Sequence, residues 1–381
     1  MFEQFFKSEA ASGVLLLAMT VLALAIANSA LAPVYFATLE THAGGLSLLH
    51  WINDGLMALF FLLVGLEIRQ ELTGGELSSW PGRALPGLAA LGGMAVPALI
   101  YAAVNRHAPA TLHGWAIPTA TDIAFSLGVL AMFGAAVPAT LRIFLTALAI
   151  IDDLLAVLII ALFYGSGLSL PFLGLAGLVC AALTLLNRLG VNRLAVYLPL
   201  GALLWFFTLR SGIHATIAGV VLAFLLPARG PEGNEGSPAL RLEHGLAGWV
   251  AWLIVPLFAF ANAGVSFAGM SAATLAQPVT MGVAAGLFVG KPLGVLGACW
   301  LAVRTGLGRL PQGASWLALA GVAALCGIGF TISLFIGALA FHDGHAIAAA
   351  KLGILAGSLA SGVAGWLALH RSASVRSADA G

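Results

Sequence analysis

The sequence predicts an all-α polytopic membrane protein of about twelve transmembrane helices, and three observations carry that expectation. The 381 residues are 61% hydrophobic and only 8% charged, with a mean hydropathy of +1.04, so the chain cannot present a charged surface to water and its main solvent is lipid. Apolar runs of roughly 20 residues, the length that crosses a hydrocarbon core about 30 Å thick, recur from end to end. Lys and Arg fall mostly on one side of the resulting alternation.

Other classes are excluded on the same grounds. A net charge of +1 offers no basic field for phosphates, so nucleic acid is not a partner. Cys180, Cys299 and Cys326 are odd in number, sit in apolar runs and lack metal-ligand spacing, so they read as small buried hydrophobes. No cofactor is implied.

Taken in order, the first span centres on Leu22. Lys7, an apolar run and then ANSALA resemble a cleavable signal peptide, but Glu3 and Glu9 stand where a signal would be basic. The run from Gly13 to Leu31 is also longer than a signal core, so a retained first helix is expected. Further spans centre on Leu62, Met94, Ile123, Val157, Leu178, Leu200 and Val220. The stretch PARGPEGNEGSPALRLEH between Pro227 and His244 is too rich in Gly, Pro and Glu for a lipid-buried helix. The last spans then centre on Pro256, Leu287, Ile328 and Ala356. The expected organisation is a single transporter domain over 1–381: a first helical part at 1–227, a polar cytoplasmic loop at 228–243, a second helical part at 244–370 and a cytoplasmic tail at 371–381. An inside N-terminus puts Lys7, Arg69, Arg83, Arg142, Arg188, Arg193, Arg229, Arg241, Arg304, Arg309, Arg371 and Arg376 in the cytoplasm. Only Arg106, Arg210 and Lys351 are then outside. Both termini are therefore expected in the cytoplasm.

Ionisable groups inside the spans each cost at least about 2.5 kcal/mol and mark ion or proton pathways. Asp152 and Asp153 interrupt AIIDDLLAVLIIALFY at 149–164. Two adjacent carboxylates in lipid cannot both stay ionised without a cation or a basic partner. Such a pair suits exchange of protons for a metal cation, because the same oxygens hold either one but not both cheaply. Lys291, in GKPLG at 290–294, is deep in a span and needs an anionic partner, which the aspartates can supply. Asp122 lies in IPTATDIAFSLGVL at 117–130, where Pro118, Thr119 and Thr121 should unwind the helix. GIGFTISLFIG at 327–337 has the same symptoms in Gly327, Gly329, Thr331 and Ser333. Unwound backbone at membrane depth is tolerated where it lines a cavity or is buried in protein, and a carboxylate can compensate the exposed half-helix ends.

Seven strings together carry a family resemblance. They are NDGLMALFFLLVGLEIRQE at 53–71, Thr121-Asp122, Asp152-Asp153, RSGIHAT at 210–216, PLFAFANAG at 256–264, GKPLG and GIGFTIS. Each is weak alone, but in this order over most of the chain they resemble NhaA-type sodium/proton antiporters, themselves an example of transporters with interrupted helices in inverted repeats. The resemblance implies twelve helices, with the third to fifth and tenth to twelfth as inverted repeats whose fourth and eleventh helices are broken and cross. It implies that Asp152 and Asp153 bind the transported Na+ and H+, that Asp122 and Thr121 sit at the crossing, and that Lys291 pairs with the first aspartate of the doublet. Gly327, Gly329 and Thr331 match the second broken helix. Glu67 matches an acidic residue near the cytoplasmic funnel, and His214, Glu243 and His244 match positions linked to pH response. The implied activity is electrogenic, pH-regulated export of Na+ or Li+ against inward H+ in the bacterial inner membrane, serving sodium and pH homeostasis, with a monomer or a homodimer both allowed. Two departures bear on the pH set point: Gln70 stands where many relatives have a second basic residue, and Ala247 where some have a histidine.

Two rival classes also use such residues. An intramembrane aspartyl protease needs two carboxylates converging on one water from different helices, and its GxGD sequence is absent. A passive cation channel needs a continuous pore with many similar weak sites, whereas this chain offers one compact titratable cluster.

Overall fold

The computed structural model describes residues 9–75, 80–165, 167–228, 236–268 and 272–379. Glu3, Lys7, Arg229 and residues 380–381, which carry part of the orientation and tail readings, lie outside them.

In chain order the helices are α1 (Glu9–Ala27), α2 (Ala32–Glu40), α3 (Leu48–Thr73), α4 (Trp80–Asn105), the 3-10 helix α5 (Pro109–Thr119), α6 (Ile123–Ala131), α7 (Ala139–Phe163), α8 (Leu170–Arg188), α9 (Leu194–Ser211), α10 (Ile217–Leu225), α11 (Pro238–Ala263), α12 (Pro278–Arg304), α13 (Trp316–Leu325), α14 (Phe330–Ala340) and α15 (Gly344–Asp379). Among the described residues 8 helices are long and apolar enough to span a membrane, or up to 11 when each bent pair counts as one span. The eighth expected span, centred on Val220, contains the 9-residue α10. At about 1.5 Å per residue it reaches less than half a bilayer, because RSGIHAT breaks the chain just before it: α9 ends on the left-handed Gly212, φ 86°.

Two boundaries also differ from the sequence reading. The polar stretch becomes helix at Pro238, where Ser237 Oγ accepts from Leu240 N at 3.2 Å, so residues 238–243 belong to α11 rather than to a loop. Serine followed by proline is an efficient helix start, since the hydroxyl satisfies one orphan amide and the proline lacks another. The expected tail is likewise helical through Asp379.

Contacts gather the chain into two compact units. The first draws on Met1–Ala30, Glu76–Ala156 and Asn262–Gly381. Within it α4 and α12 meet backbone to backbone: a Cβ on Gly92 would strike Gly294 O and come within 2.7 Å of Ala298 Cβ, and one on Gly294 would strike Gly92 O. Lipid tails are as apolar as leucine, so helices in a membrane associate through such close small-residue packing rather than through hydrophobic burial. This approach brings the start of α12's second half, with Lys291, against the segment following α4.

The second unit draws on Leu31–Gly75 and Val157–Ala261. Leu62 and Leu66 of α3, Leu183 of α8, Tyr197 and Leu204 of α9 and Leu222 of α10 form its core. A short antiparallel hairpin, β1 (His42–Ala43) with β2 (Leu46–Ser47), precedes α3. A π-helical stretch at Trp51–Leu56 follows the first residues of α3.

Candidate functional site: a buried ion pair at two broken helices

Both interrupted segments are broken helices of the first unit. α5 and α6 are bent by 40° across Ala120–Asp122, and α13 and α14 by 43° across Cys326–Gly329. A break exposes backbone that the helix would otherwise satisfy, namely the amides at the start of one half and the carbonyls at the end of the other. Here each broken helix satisfies the other. Asp122 N donates to Ile328 O at 2.6 Å. The Thr121 hydroxyl lies 2.9 Å from Cys326 O. Asp122, 2% exposed, caps two helix starts at once: Oδ1 accepts from Phe125 N at 3.1 Å in its own helix, and Oδ2 accepts from Thr331 N at 3.0 Å and Thr331 Oγ1 at 2.6 Å in the other. One carboxylate thus faces the positive ends of two half-helices, where a negative charge is most favourable.

The glycines of the second break are required by crowding. A Cβ on Gly327 would reach Leu287 O and sit 2.5 Å from Ser361 Oγ, and one on Gly329 would meet Leu287 Cδ2 at 2.8 Å and Ala120 O at 3.0 Å.

Beside this crossing lies the ion pair. Lys291 Nζ is 2.5 Å from Asp152 Oδ2, and both side chains are 0% exposed. The same ammonium donates to Thr119 O, the last carbonyl of α5, and Thr121 Oγ1 is 2.7 Å from Asp152 Oδ2. The lysine therefore neutralises two negative features, a carboxylate on α7 and the C-terminal end of a half-helix. Asp152 Oδ1 is buried with no hydrogen-bond partner among the described residues. Asp153 follows on α7 and is 4% exposed. Successive helical side chains diverge by about 100°, so the two carboxylates leave α7 in different directions. The structure brings together Thr121, Asp122, Asp152, Lys291, Gly327, Gly329 and Thr331, with Asp153 adjacent in sequence.

Over residues 3–369 the chain matches the model of a family described as Na+/H+ antiporter 1. The chain belongs to this antiporter family. Members similar to it include a protein named Na+/H+ antiporter NhaA from Caulobacter vibrioides, 58% identical over 94% of this chain and 88% of that protein. A Na+/H+ antiporter NhaA 2 from Pseudomonas syringae pv. syringae is 58% identical over 97% and 95%, and an NhaA from Mesorhizobium japonicum is 57% identical over 96% and 93%.

The residues that the family resemblance links to pH response lie in the second unit. Glu67 and Glu71 stand one turn apart on α3, and both interact electrostatically with Glu243 of α11. Gln70, with its amide turned to satisfy both groups, donates to the two Glu243 oxygens at 2.8 and 2.7 Å. His244 is exposed. His214 is half-buried between α9 and α10, and its Nε2 donates to Tyr164 O at 2.6 Å. Sequence reasoning missed Asp54, which sits in the π-helical turn and acts electrostatically on His214. It was visible as a carboxylate inside an apolar run. Ser126 and Ser358 were also missed. Ser358 Oγ accepts from Gly329 N at 3.3 Å, and nothing in the sequence distinguishes it from other serines of a membrane helix.

Proposed function

We propose that this chain exports Na+ across the bacterial inner membrane in exchange for inward-moving H+, with both termini in the cytoplasm. It is a membrane transporter of many spans and not an enzyme. The observation that carries the reading is the fully buried Lys291–Asp152 pair set against two crossing broken helices. A buried ion pair is stable only while both members are charged and hydrogen-bonded. A cation that takes an Asp152 oxygen weakens the hold on Lys291, whose ammonium can then give up its proton. Asp152 Oδ1, buried and without a hydrogen-bond partner among the described residues, is an anionic oxygen of the kind a hard cation prefers. Asp153 supplies the second carboxylate, and Asp122 and Thr121 hold the crossing.

The charge count follows. Asp153 trades one proton for the cation and the Asp152–Lys291 pair trades another, so more protons enter than sodium ions leave and transport is electrogenic. Each net inward positive charge gains about 2.3 kcal/mol per 100 mV of inside-negative potential, and a tenfold gradient costs about 1.4 kcal/mol. Voltage alone then sustains more than tenfold sodium exclusion, which serves sodium and pH homeostasis. Li+ is an alternative cargo, and Glu67, Glu243, His244 and His214 adjust the response to pH. The apolar exterior suits either a monomer or a homodimer. No observation favours the protease reading, since Asp152 is held by a lysine rather than by a facing aspartate, nor the channel reading.

The test is sodium-induced proton release from purified protein in detergent. Wild type should release protons on sodium addition and Asp152→Asn should release fewer. Asp153→Asn should abolish both release and exchange, because an amide neither titrates nor supplies an anionic oxygen. Retained sodium-driven flux in that variant removes Asp153 from the site.

A further inference from the structure

The crossing has a second layer, made of hydroxyls rather than charge. Asp122 deals with the amide ends of the broken helices, while Lys291 holds Thr119 O and Thr121 reaches Cys326 O, which leaves the carbonyls just before these on α5 and α13. Ser126 and Ser333, each 0% exposed, reach them. Ser126 is the fourth residue of α6, and its Oγ donates to Leu325 O, the last residue of α13, at 2.9 Å. Ser333 is the fourth residue of α14, and its Oγ donates to Ile117 O, near the end of α5, at 2.7 Å. Each serine also anchors its own helix to its own break: Ser126 N donates to Asp122 O at 3.0 Å and Ser333 N to Gly329 O at 2.8 Å. The arrangement is reciprocal, with the same residue type at the same helical position donating to the terminal carbonyls of the opposite broken helix. A serine inside a helix ordinarily turns its hydroxyl to solvent or back to its own preceding turn. Neither of these does so.

We propose that Ser126 and Ser333 are paired positioning residues for ion exchange: by satisfying each other's helix ends they set the register in which α5–α6 and α13–α14 cross. That register places Asp122 across two half-helix starts and Thr121 against Asp152. Neither serine touches the Lys291–Asp152 pair, so each acts through the crossing rather than on the ion. A slackened crossing should weaken cation binding more than it lowers the maximal rate, because the carboxylates and their protons remain.

The inference rests on the antiport reading above, and the experiment separates the two. In proteoliposomes, sodium-dependent proton flux is measured against sodium concentration for wild type and for Ser126→Ala and Ser333→Ala. Thr20→Ala serves as control, since Thr20 is also buried, 5% exposed, but its hydroxyl donates to Leu16 O within α1. Ser333→Ala takes from Ile117 O the hydroxyl that reaches it, and Ser126→Ala leaves Leu325 O with Ile328 N alone at 3.0 Å; losing a hydrogen bond in a low-dielectric site is a substantial loss. Half-saturating sodium should therefore rise about fivefold or more in each serine variant, with a smaller change in maximal rate and none in the control. Ser126→Thr should return half-saturation toward wild type, and the double alanine variant should fall short of the product of the two single effects, because both clamps act on one crossing. Should an alanine variant fail to fold, Ser126→Cys and Ser333→Cys keep the volume with a weaker donor and should give intermediate shifts. Serine variants with half-saturation within twofold of wild type overturn the proposal, as does a shift matched by Thr20→Ala. A wild type with no sodium-dependent flux overturns the antiport reading itself.

Discussion

Replacing Lys291 with glutamine should destabilise the protein far more than replacing both members of its pair. In wild type the ammonium holds Asp152 Oδ2 at 2.5 Å and also donates to Thr119 O. Glutamine removes the charge and leaves a carboxylate with 0% exposure and one remaining donor, Thr121 at 2.7 Å. Breaking one side of a buried ion pair costs about 3–5 kcal/mol, roughly a hundred- to several-thousand-fold in the folded-to-unfolded ratio at about 1.4 kcal/mol per tenfold. The double variant Asp152→Asn with Lys291→Gln places two neutral amides where two charges stood. It should recover most of that loss, because the desolvation of both ions vanishes together with their attraction.

The assay is unfolding in detergent followed by tryptophan fluorescence, arranged as a cycle of wild type, both single variants and the double. The coupling between the two sites should be several kcal/mol. The Lys291→Gln deficit should also be larger in alkali than in acid, since protonating the orphaned carboxylate removes the unpaired charge. Additive losses, or a Lys291→Gln deficit that does not change with pH, would show that the pair is not a buried ion pair in the membrane protein.

Two further outcomes follow from the geometry. Asp122→Ala removes the acceptor shared by Phe125 N, Thr331 N and Thr331 Oγ1. It leaves two helix starts uncompensated, so exchange in vesicles should fall by at least tenfold, and normal turnover and affinity would show that the crossing does not need the carboxylate. Gly92→Leu would drive a side chain into Gly294 O and Ala298 Cβ. It should separate α4 from α12 and lower the yield of folded protein several-fold, whereas Gly297→Leu on α12, where none of the described residues lies within 4 Å of an added Cβ, should be tolerated. Equal yields from the two would show that the close approach is dispensable.

The features legible in the sequence were those that lipid makes expensive. Asp122, Asp152, Asp153 and Lys291 stood out because a charge in an apolar run needs a partner, and for Asp122, Asp152 and Lys291 the partners exist in the fold at distances of a direct hydrogen bond or ion pair. The breaks were legible for the same reason. Pro118 with two threonines, and two glycines with a threonine, cannot hold a continuous helix unless neighbouring groups accept what they expose. The helix starting at Pro238 was misplaced because composition was weighed over punctuation: Ser237-Pro238 is a start signal even inside a polar stretch. The span at Val220 holds a helix of only 9 residues, which hydropathy does not foresee because it registers an apolar run without registering that RSGIHAT has already ended the preceding helix.

Ser126 was illegible for a deeper reason. In water a serine in a helix contributes little, and in a membrane helix it most often bonds within its own turn, so its presence carries no expectation. What gives it a consequence is that a second helix, more than a hundred residues away in sequence, ends within 2.9 Å of its hydroxyl. Charges declare themselves in sequence because their cost is intrinsic. A hydroxyl declares itself only through the carbonyl it meets, and which carbonyl that is depends on the crossing. The crossing in turn depends on Asp122 spanning two helix starts and on glycines that let Leu287 O and Ala120 O approach the second break. The electrostatic half of the site is therefore readable residue by residue. The half that sets its register exists only as a relation between two broken helices, and for that reason Ser126 and Ser333 have to be tested as a pair as well as singly.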